Sequence, residues 1–371
     1  MPASRKISVA IAGCNIGAQQ AAAFAKLGGF RLAALCDTDR ARAEALAGQS
    51  GAPGVTTDLG ALCARDDIDI ISLCTPPVLH HAQIKQALAA GKNVICEKPL
   101  TGSPAAVDDI IATAEKSGRW VMPIFQLRFG AAVQKLRRLV ADGVTGPLDF
   151  ASAETAWRRG DAYYGTPWRR TWRGSLGGAL FGQAIHAHDL LTCIGGRATA
   201  AFAIAATRVN QVETEDCAAG TLRLAGGAVA SIGVTLGSMR EITRLRFCFR
   251  HLTAESNTGP YDEVSREPWT FSSDGPATEA AMRDALAGFA PGPGGYEGQF
   301  GALLRALRED RPPPVTLADA RESIELAATL YHSIATGRLE TLPLAAAHPF
   351  YCGWQEVMGK SLSARGCNCE S

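Results

Sequence analysis

Residues 7–20 read ISVAIAGCNIGAQQ, an apolar β-prone run that stops at Gly13 and passes through Gly17 into helix-forming residues. Strand, tight glycine turn and helix in that order make the first half of a βαβ unit, with the helix's first amides facing the space beyond the strand end. The same alternation continues to residue 125. FRLAALCD (30–37), DIDIISLCTP (67–76), NVICEKP (93–99) and WVMPIF (120–125) read as strands, separated by helix-prone RARAEALA (40–47), HAQIKQALAAG (81–91) and AAVDDIIATAEKSG (105–118). Such spacing predicts parallel pairing with right-handed crossovers, and the unbroken apolar character of the strands predicts helices on both faces of the sheet.

Beyond Phe125 the pattern changes. TAAFAIAATRV (199–209), DCAAGTLRLAG (216–226), AVASIGVTLG (228–237) and ITRLRFCFR (242–250) follow one another without intervening helices. In the last, Leu245, Phe247 and Phe249 alternate with Arg244, Arg246 and Arg250, so one face is apolar and the other solvated. The expected fold class is α/β: an N-terminal doubly wound parallel sheet of Rossmann type over 1–125, then an α+β domain over 126–371 with a large open, mainly antiparallel sheet. GFAPGPGGYEG (288–298) reads as a linker, and Thr316 with Asp319 as a capping box opening a helix through ESIELAATLYHSI.

The 371 residues carry a net charge of +1 and are 47% hydrophobic and 20% charged, a compact chain without the basic field of a nucleic-acid or membrane-surface binder. Trp157, Tyr163, Tyr164, Trp168 and Trp172 interleave with arginines, a pattern that also stacks sugar rings and binds anionic groups. The eleven cysteines are scattered without C-x-x-C spacing, and an odd number argues against a disulfide framework. With no segment of membrane-spanning length, a reducing, cytoplasmic setting is the expectation.

The turn itself carries chemistry. From Gly13, the residues Gly13, Cys14, Asn15, Ile16, Gly17 and Ala18 approximate a dinucleotide-binding turn, with Asn15 where a second glycine is usual and Ala18 at the permitted third position. Asp37 closes the second strand about two dozen residues on, the place of a carboxylate for a ribose hydroxyl. It favours NAD, while Arg40 keeps NADP as the alternative.

TPPVLH (75–80) and AAGKNVICEKPL (89–100) then add a more specific pattern. With the glycine turn and HPFYCGWQ near the C-terminus, these residues resemble the Gfo/Idh/MocA family, that of glucose-fructose oxidoreductase and inositol dehydrogenase. The resemblance implies an NAD(P)-dependent oxidoreductase acting on CH–OH groups of a sugar, polyol or sugar acid at the cleft between its domains. Gly13, Asn15, Ile16, Gly17, Asp37, Thr75, Pro76, His80, Glu97 and Lys98 would hold the cofactor, with a cis peptide before Pro99. Lys98 would polarise the substrate oxygen. The family's second signature, G-G-G-x-x-x-D-x-G-x-H-x-x-D, falls on LGGALFGQAIHAHD (176–189): its histidine is His186 and its last aspartate Asp189, but Gly182 replaces the first aspartate. His186 is the expected acid/base, with Arg128, Trp172, Arg173 and Gln183 beside it at the substrate.

No metal is expected here, since His186 and His188 lie two apart on a helix and cannot chelate one ion as an i, i+4 pair could. Homo-oligomers, dimer or tetramer, follow from the resemblance. The missing carboxylate at 182 and the altered glycine turn motivate two alternatives: a redox-neutral glycoside-modifying enzyme with retained NAD, and a non-catalytic ligand-binding protein.

Overall fold

The computed structural model describes residues 5–365, so Cys367 and Cys369 of the terminal CNCE lie outside the described residues. The chain forms two compact units. The first holds the chain through Thr101 with Ala105–Gln126 and Tyr296–Arg321; the second holds Gly102–Pro104, Leu127–Gly295 and the chain from Glu322 on.

In the first unit, β1 (Ile7–Ala12), β2 (Phe30–Cys36), β3 (Val55–Thr56), β4 (Ile70–Leu73), β5 (Asn93–Cys96) and β6 (Val121–Pro123) form one sheet in the order β3-β2-β1-β4-β5-β6. Every pair is parallel, and the order reverses at β1, as in a doubly wound fold. β1 and β4 are buried along their whole length, the burial that continuous apolar strands require. Gly13 takes φ +96° directly after β1, and a Cβ there would lie 2.4 Å from the Cys74 carbonyl oxygen at the end of β4. Gly17 opens the helix Gly17–Lys26 so close to β1 that a Cβ would meet the Ile11 side chain at 2.7 Å.

The chain leaves this unit after Gln126 and returns at Tyr296, a return that a single domain over 126–371 does not contain. The residues read as a linker end in the helix Gly295–Arg308, whose apolar face, Phe300, Leu303 and Ala306, supplies the reason for the return. Phe300 stacks on Phe24, centroids 4.1 Å apart. Gln299 completes the backbone pairing beside β6, donating to the Pro123 carbonyl (2.8 Å) and accepting from the Phe125 amide (3.1 Å). Thr316 and Asp319 exchange capping bonds at the helix Leu317–Thr336, as the sequence predicts.

The second unit is built on β7 (Leu148–Arg158), β8 (Ala198–Ala206), β9 (Cys217–Leu224), β10 (Val229–Thr235), β11 (Gly237–Phe249), β12 (Leu252–Glu255), β13 (Thr270–Ser273) and β14 (Glu340–Thr341), ordered β13-β12-β11-β7-β10-β9-β8-β14. Only β7 and β10 pair in parallel, so the sheet is open and mainly antiparallel. The helix Ile185–Gly195 packs on β7 and β11, and Ser333 of the long helix accepts the Ala203 amide of β8 at 3.1 Å. Among the described residues, no helix is long and apolar enough to cross a membrane.

Gly13→Ala has neither a relaxed φ nor room for its methyl. The expected outcome is a loss of about 1–3 kcal/mol, read as a lower urea midpoint, whereas the same change at exposed Gly28, where a Cβ meets nothing within 4 Å, costs nothing measurable.

Candidate active site

The residues expected at the cofactor gather at the carboxyl ends of adjacent strands: Gly13 after β1, Asp37 after β2, Thr75 after β4, Glu97 and Lys98 after β5. Ile16 caps the first helix by backbone alone, without a side-chain acceptor for its leading amides. Asn15 is exposed and is not among the residues with positive φ, so the turn does not need a glycine there for conformational reasons.

Asp37 is buried, and its carboxylate accepts the Cys14 amide at 2.8 Å and the Asp39 amide at 2.9 Å. Arg42 joins it at 3.2 Å, while Arg40, the arginine singled out from the sequence, turns away to Glu44. Two residues along a helix are about half a turn apart, so residue 42 lies over the strand end that residue 40 faces away from. Asp37 therefore braces the glycine turn as well as presenting charge at the end of β2.

His80 is fully buried, and its two ring nitrogens lie 2.9 Å from the carbonyls of Pro99 and Thr75. It ties the loop of Thr75 and Pro76 to that of Lys98 and Pro99, whose peptide bond is cis. Glu97 is buried as well. Its Oε1 accepts Gln20 Nε2 (2.8 Å) and the Tyr296 hydroxyl (2.6 Å), its Oε2 accepts the Lys98 amide (3.3 Å), and Ser72 donates in turn to Gln20. Burial pulls the Lys98 ammonium below the ordinary lysine range, opposed by Glu97. Gln20, Ser72, Tyr296 and Arg42 went unread in the sequence; only Gln20, one turn into the first helix, had a positional signal.

In the second unit the signature 176–189 forms the short helix Ala179–Gly182 and the helix Ile185–Gly195. Leu176, on the first glycine position of the family pattern, sits at φ +64°. A Cβ at Gly178 would run into Glu215, so the glycine there is required. Glu215 is fully buried: its Oε1 accepts the Leu180 amide (3.0 Å) and the Tyr331 hydroxyl (2.9 Å), while its Oε2 has no hydrogen-bond partner among the described residues. Burial pushes this carboxyl up to about 7 against those bonds.

His186 is buried, and its Nε2 lies 3.2 Å from the Tyr261 hydroxyl. His188, buried on the same helix, is pushed down to about 4 by desolvation, a neutral core histidine. Asp189 takes a two-pronged bond from Arg128, at 2.6 and 2.9 Å, which commits the guanidinium expected at the substrate to a structural pair. Gln183 donates to the Tyr163 hydroxyl at 2.8 Å. Trp172, also expected at the substrate, is buried instead, its ring nitrogen donating to the Glu213 carbonyl at 2.9 Å; Arg173 beside it is exposed. The arginines of this stretch stack on its own aromatics, Arg169 on Tyr163 at 4.3 Å and Arg159 on Trp157 at 4.9 Å. At Gly182 a Cβ would meet no atom within 4 Å, so the place of the family's aspartate is open space.

Among the described residues, one trio of potential metal ligands comes together elsewhere, His332, Glu340 and His348. His348 Nδ1 accepts the Phe350 amide, which leaves its proton on Nε2, the reverse of what ligation through Nε2 needs. The trio reads as a His332–Glu340 pair at 3.0 Å with an imidazole packed edge-on.

Residues 7–125 match the model of the oxidoreductase family with an NAD-binding Rossmann fold, GFO_IDH_MocA, and residues 133–250 match the GFO/IDH/MocA C-terminal domain. The chain belongs to the Gfo/Idh/MocA family. It is 32% identical over 160 residues to the D-glucoside 3-dehydrogenase of Escherichia coli K12, covering 43% of this chain and 45% of that one. Over 181 residues it is 31% identical to a glycosyl hydrolase family 109 protein of Streptomyces niveus, 45% of this chain and 37% of that one. The matched part thus spans less than half the length of these two curated relatives. The WlbA dehydrogenase of Bordetella pertussis, solved with NADH and UDP-GlcNAcA, superposes with a TM-score of 0.81 at 25% identity, over 92% of this chain and all of that one.

NAD fits the first unit. The Gly13 turn leaves a cradle that a side chain would fill, the leading amides of the first helix lack a side-chain acceptor, and a carboxylate closes β2.

The raised carboxyl at Glu215 carries a sign. The folded chain holds a proton there that the unfolded chain releases above about 4.5, so this contribution is complete below that pH and is lost as pH rises through about 7. Glu215→Gln mimics the protonated acid. In urea titrations it is expected to remove a fall of roughly 3 kcal/mol between pH 5 and 8; equal slopes in both proteins would refute the assignment.

Proposed function

We propose that this chain is an NAD(H)-dependent oxidoreductase that oxidises a hydroxyl, or reduces the matching carbonyl, of a sugar, polyol or sugar acid. The observation that carries the reading is the row of loops after β2, β1, β4 and β5, which brings Asp37, Gly13, Thr75 and Lys98 to one edge of a parallel sheet. Ligands of such sheets bind outside the carboxyl ends, where the strand order reverses.

Bound NAD supplies the hydride acceptor. The chain's part is binding, orientation and proton management. The Gly13 turn and the amides after it take the pyrophosphate, and Asp37 takes ribose hydroxyls, disfavouring a 2′-phosphate. Lys98 donates to the reacting oxygen and stabilises its alkoxide character; partial desolvation strengthens that contact. His186 exchanges the hydroxyl proton, since imidazole changes protonation near neutral pH. The sugar class follows from the relatives, a glucoside dehydrogenase and a dehydrogenase solved with a nucleotide-linked sugar acid.

A second reading has an observation of its own. The likeness to a glycosyl hydrolase family 109 protein supports a redox-neutral scheme in which NAD is retained and glycoside is consumed without net oxidation. Co-purified nicotinamide and product formation without added NAD would favour it. The proposal also includes a reducing cytoplasmic setting, supported by the nine free cysteines from Cys14 to Cys352, and a homo-oligomer formed through the open sheet face around Glu154, Arg244 and Arg246.

Two measurements test the core of the reading. Nicotinamide fluorescence is expected to show NADH binding at least tenfold tighter than NADPH, with Asp37→Ala narrowing that ratio; binding of neither nucleotide would remove the function. His186→Ala is expected to lower turnover of a glycoside or polyol by 100-fold or more while NADH affinity stays within twofold, and unchanged turnover would clear His186 of the role.

A further inference from the structure

His186 has 3% of its surface exposed, too little for a substrate hydroxyl to reach its ring without an intermediary, whereas Tyr261 beside it is partly exposed. We propose, resting on the oxidoreductase reading, that the Tyr261 hydroxyl and the His186 imidazole form one acid/base pair in which the phenol passes the substrate's proton to the histidine. The phenol oxygen lies 3.2 Å from Nε2, within proton-transfer reach, and the two rings meet edge to face with centroids 5.6 Å apart.

The surroundings hold the phenol in that place. Tyr261 takes φ +38°, one of three described residues other than glycine with a positive φ, a conformation that persists only where neighbours enforce it. They do so from both sides. The Tyr261 ring packs on Trp157 at 5.3 Å, and Trp157 donates to the Thr243 hydroxyl at 3.0 Å. The Thr243 amide in turn donates to the carbonyl of Gly259, two residues before Tyr261. Asn257 accepts the Gly259 amide and donates to the carbonyls of Glu263 and Arg266, closing the loop around the tyrosine. One turn before His186, Gly182 carries no side chain, and the Tyr261 hydroxyl stands within hydrogen-bond reach of the imidazole Nε2.

The step balances. The proton of the substrate hydroxyl bonds to the phenol oxygen as the phenol's own proton moves to His186 Nε2; bound NAD would supply the acceptor for the C–H pair as hydride, and the O–H pair would become the second bond of the carbonyl. Tyrosine ends neutral and His186 ends as imidazolium. Two protons are in flight, which a lone histidine does not require.

Tyr261→Phe keeps the ring packing and removes only the hydroxyl. Its turnover number is expected to fall roughly 100-fold, with KM and NADH affinity within twofold, and His186→Ala combined with it to be no slower than His186→Ala alone. In mixtures of H2O and D2O, the wild-type rate is expected to bow downward with deuterium fraction, as two transferred protons require, and to become linear in Tyr261→Phe. A linear wild-type plot, or a Tyr261→Phe loss that persists in the His186→Ala background, overturns the pair. Should no sugar or polyol be turned over, the oxidoreductase reading fails, and the pair is judged by imidazole 15N NMR. There a His186 Nε2 signal that accepts a hydrogen bond in wild type and loses it in Tyr261→Phe upholds the pairing, and an unchanged signal refutes it.

Discussion

A carboxylate that is out of water must be paired, and the first unit is arranged around one such group, Glu97. Leaving a buried carboxylate without partners costs several kcal/mol, so each contact to Glu97 is a condition on the fold rather than an addition to it. The Gln20 amide comes from the helix that starts at the glycine turn, the Tyr296 hydroxyl from a helix nearly two hundred residues further on, and the Lys98 amide from the motif itself. One side chain thus ties the first helix, the returning helix at Tyr296 and the Lys98 peptide to the end of β5.

The second unit solves a related problem differently. Its signature helix is seated by Glu215, whose Oε1 takes the Leu180 amide and the Tyr331 hydroxyl while its backbone carbonyl takes the Ala179 amide. Asp189 is neutralised by Arg128, and His188 stays uncharged in the core. On the helix Ile185–Gly195 that carries both, the His186 Nε2 lies 3.2 Å from the partly exposed Tyr261 hydroxyl.

The two alternatives raised by the departures from the family pattern fare differently. Gly13 and Gly17 both sit where a Cβ would clash, so the turn keeps its close approach despite Asn15, and the structural motive for a non-catalytic protein weakens. The open space at Gly182 is a real difference in the site, compatible with either net oxidation or a redox-neutral scheme on a glycoside.

The fold was legible in the sequence because burial writes a local code: continuous apolar strands between helices, then alternating strands without them, each decided by neighbours within about ten residues. The places of the glycine turn, Asp37 and Lys98 at strand ends and of His186 on its helix were legible for the same reason, since each stands at a fixed offset within one motif. What tertiary structure alone decided is who partners whom. Arg42 rather than Arg40 at Asp37, Tyr296 on Glu97, Arg128 spent on Asp189, Trp172 in the core and Tyr261 on His186 all depend on residues distant along the chain being brought within about 3 Å, or on which side of a helix faces inward. No periodicity records such pairings, because a hydrogen bond is a condition on distance and direction in space, while sequence spacing reports only the element on which each partner rides.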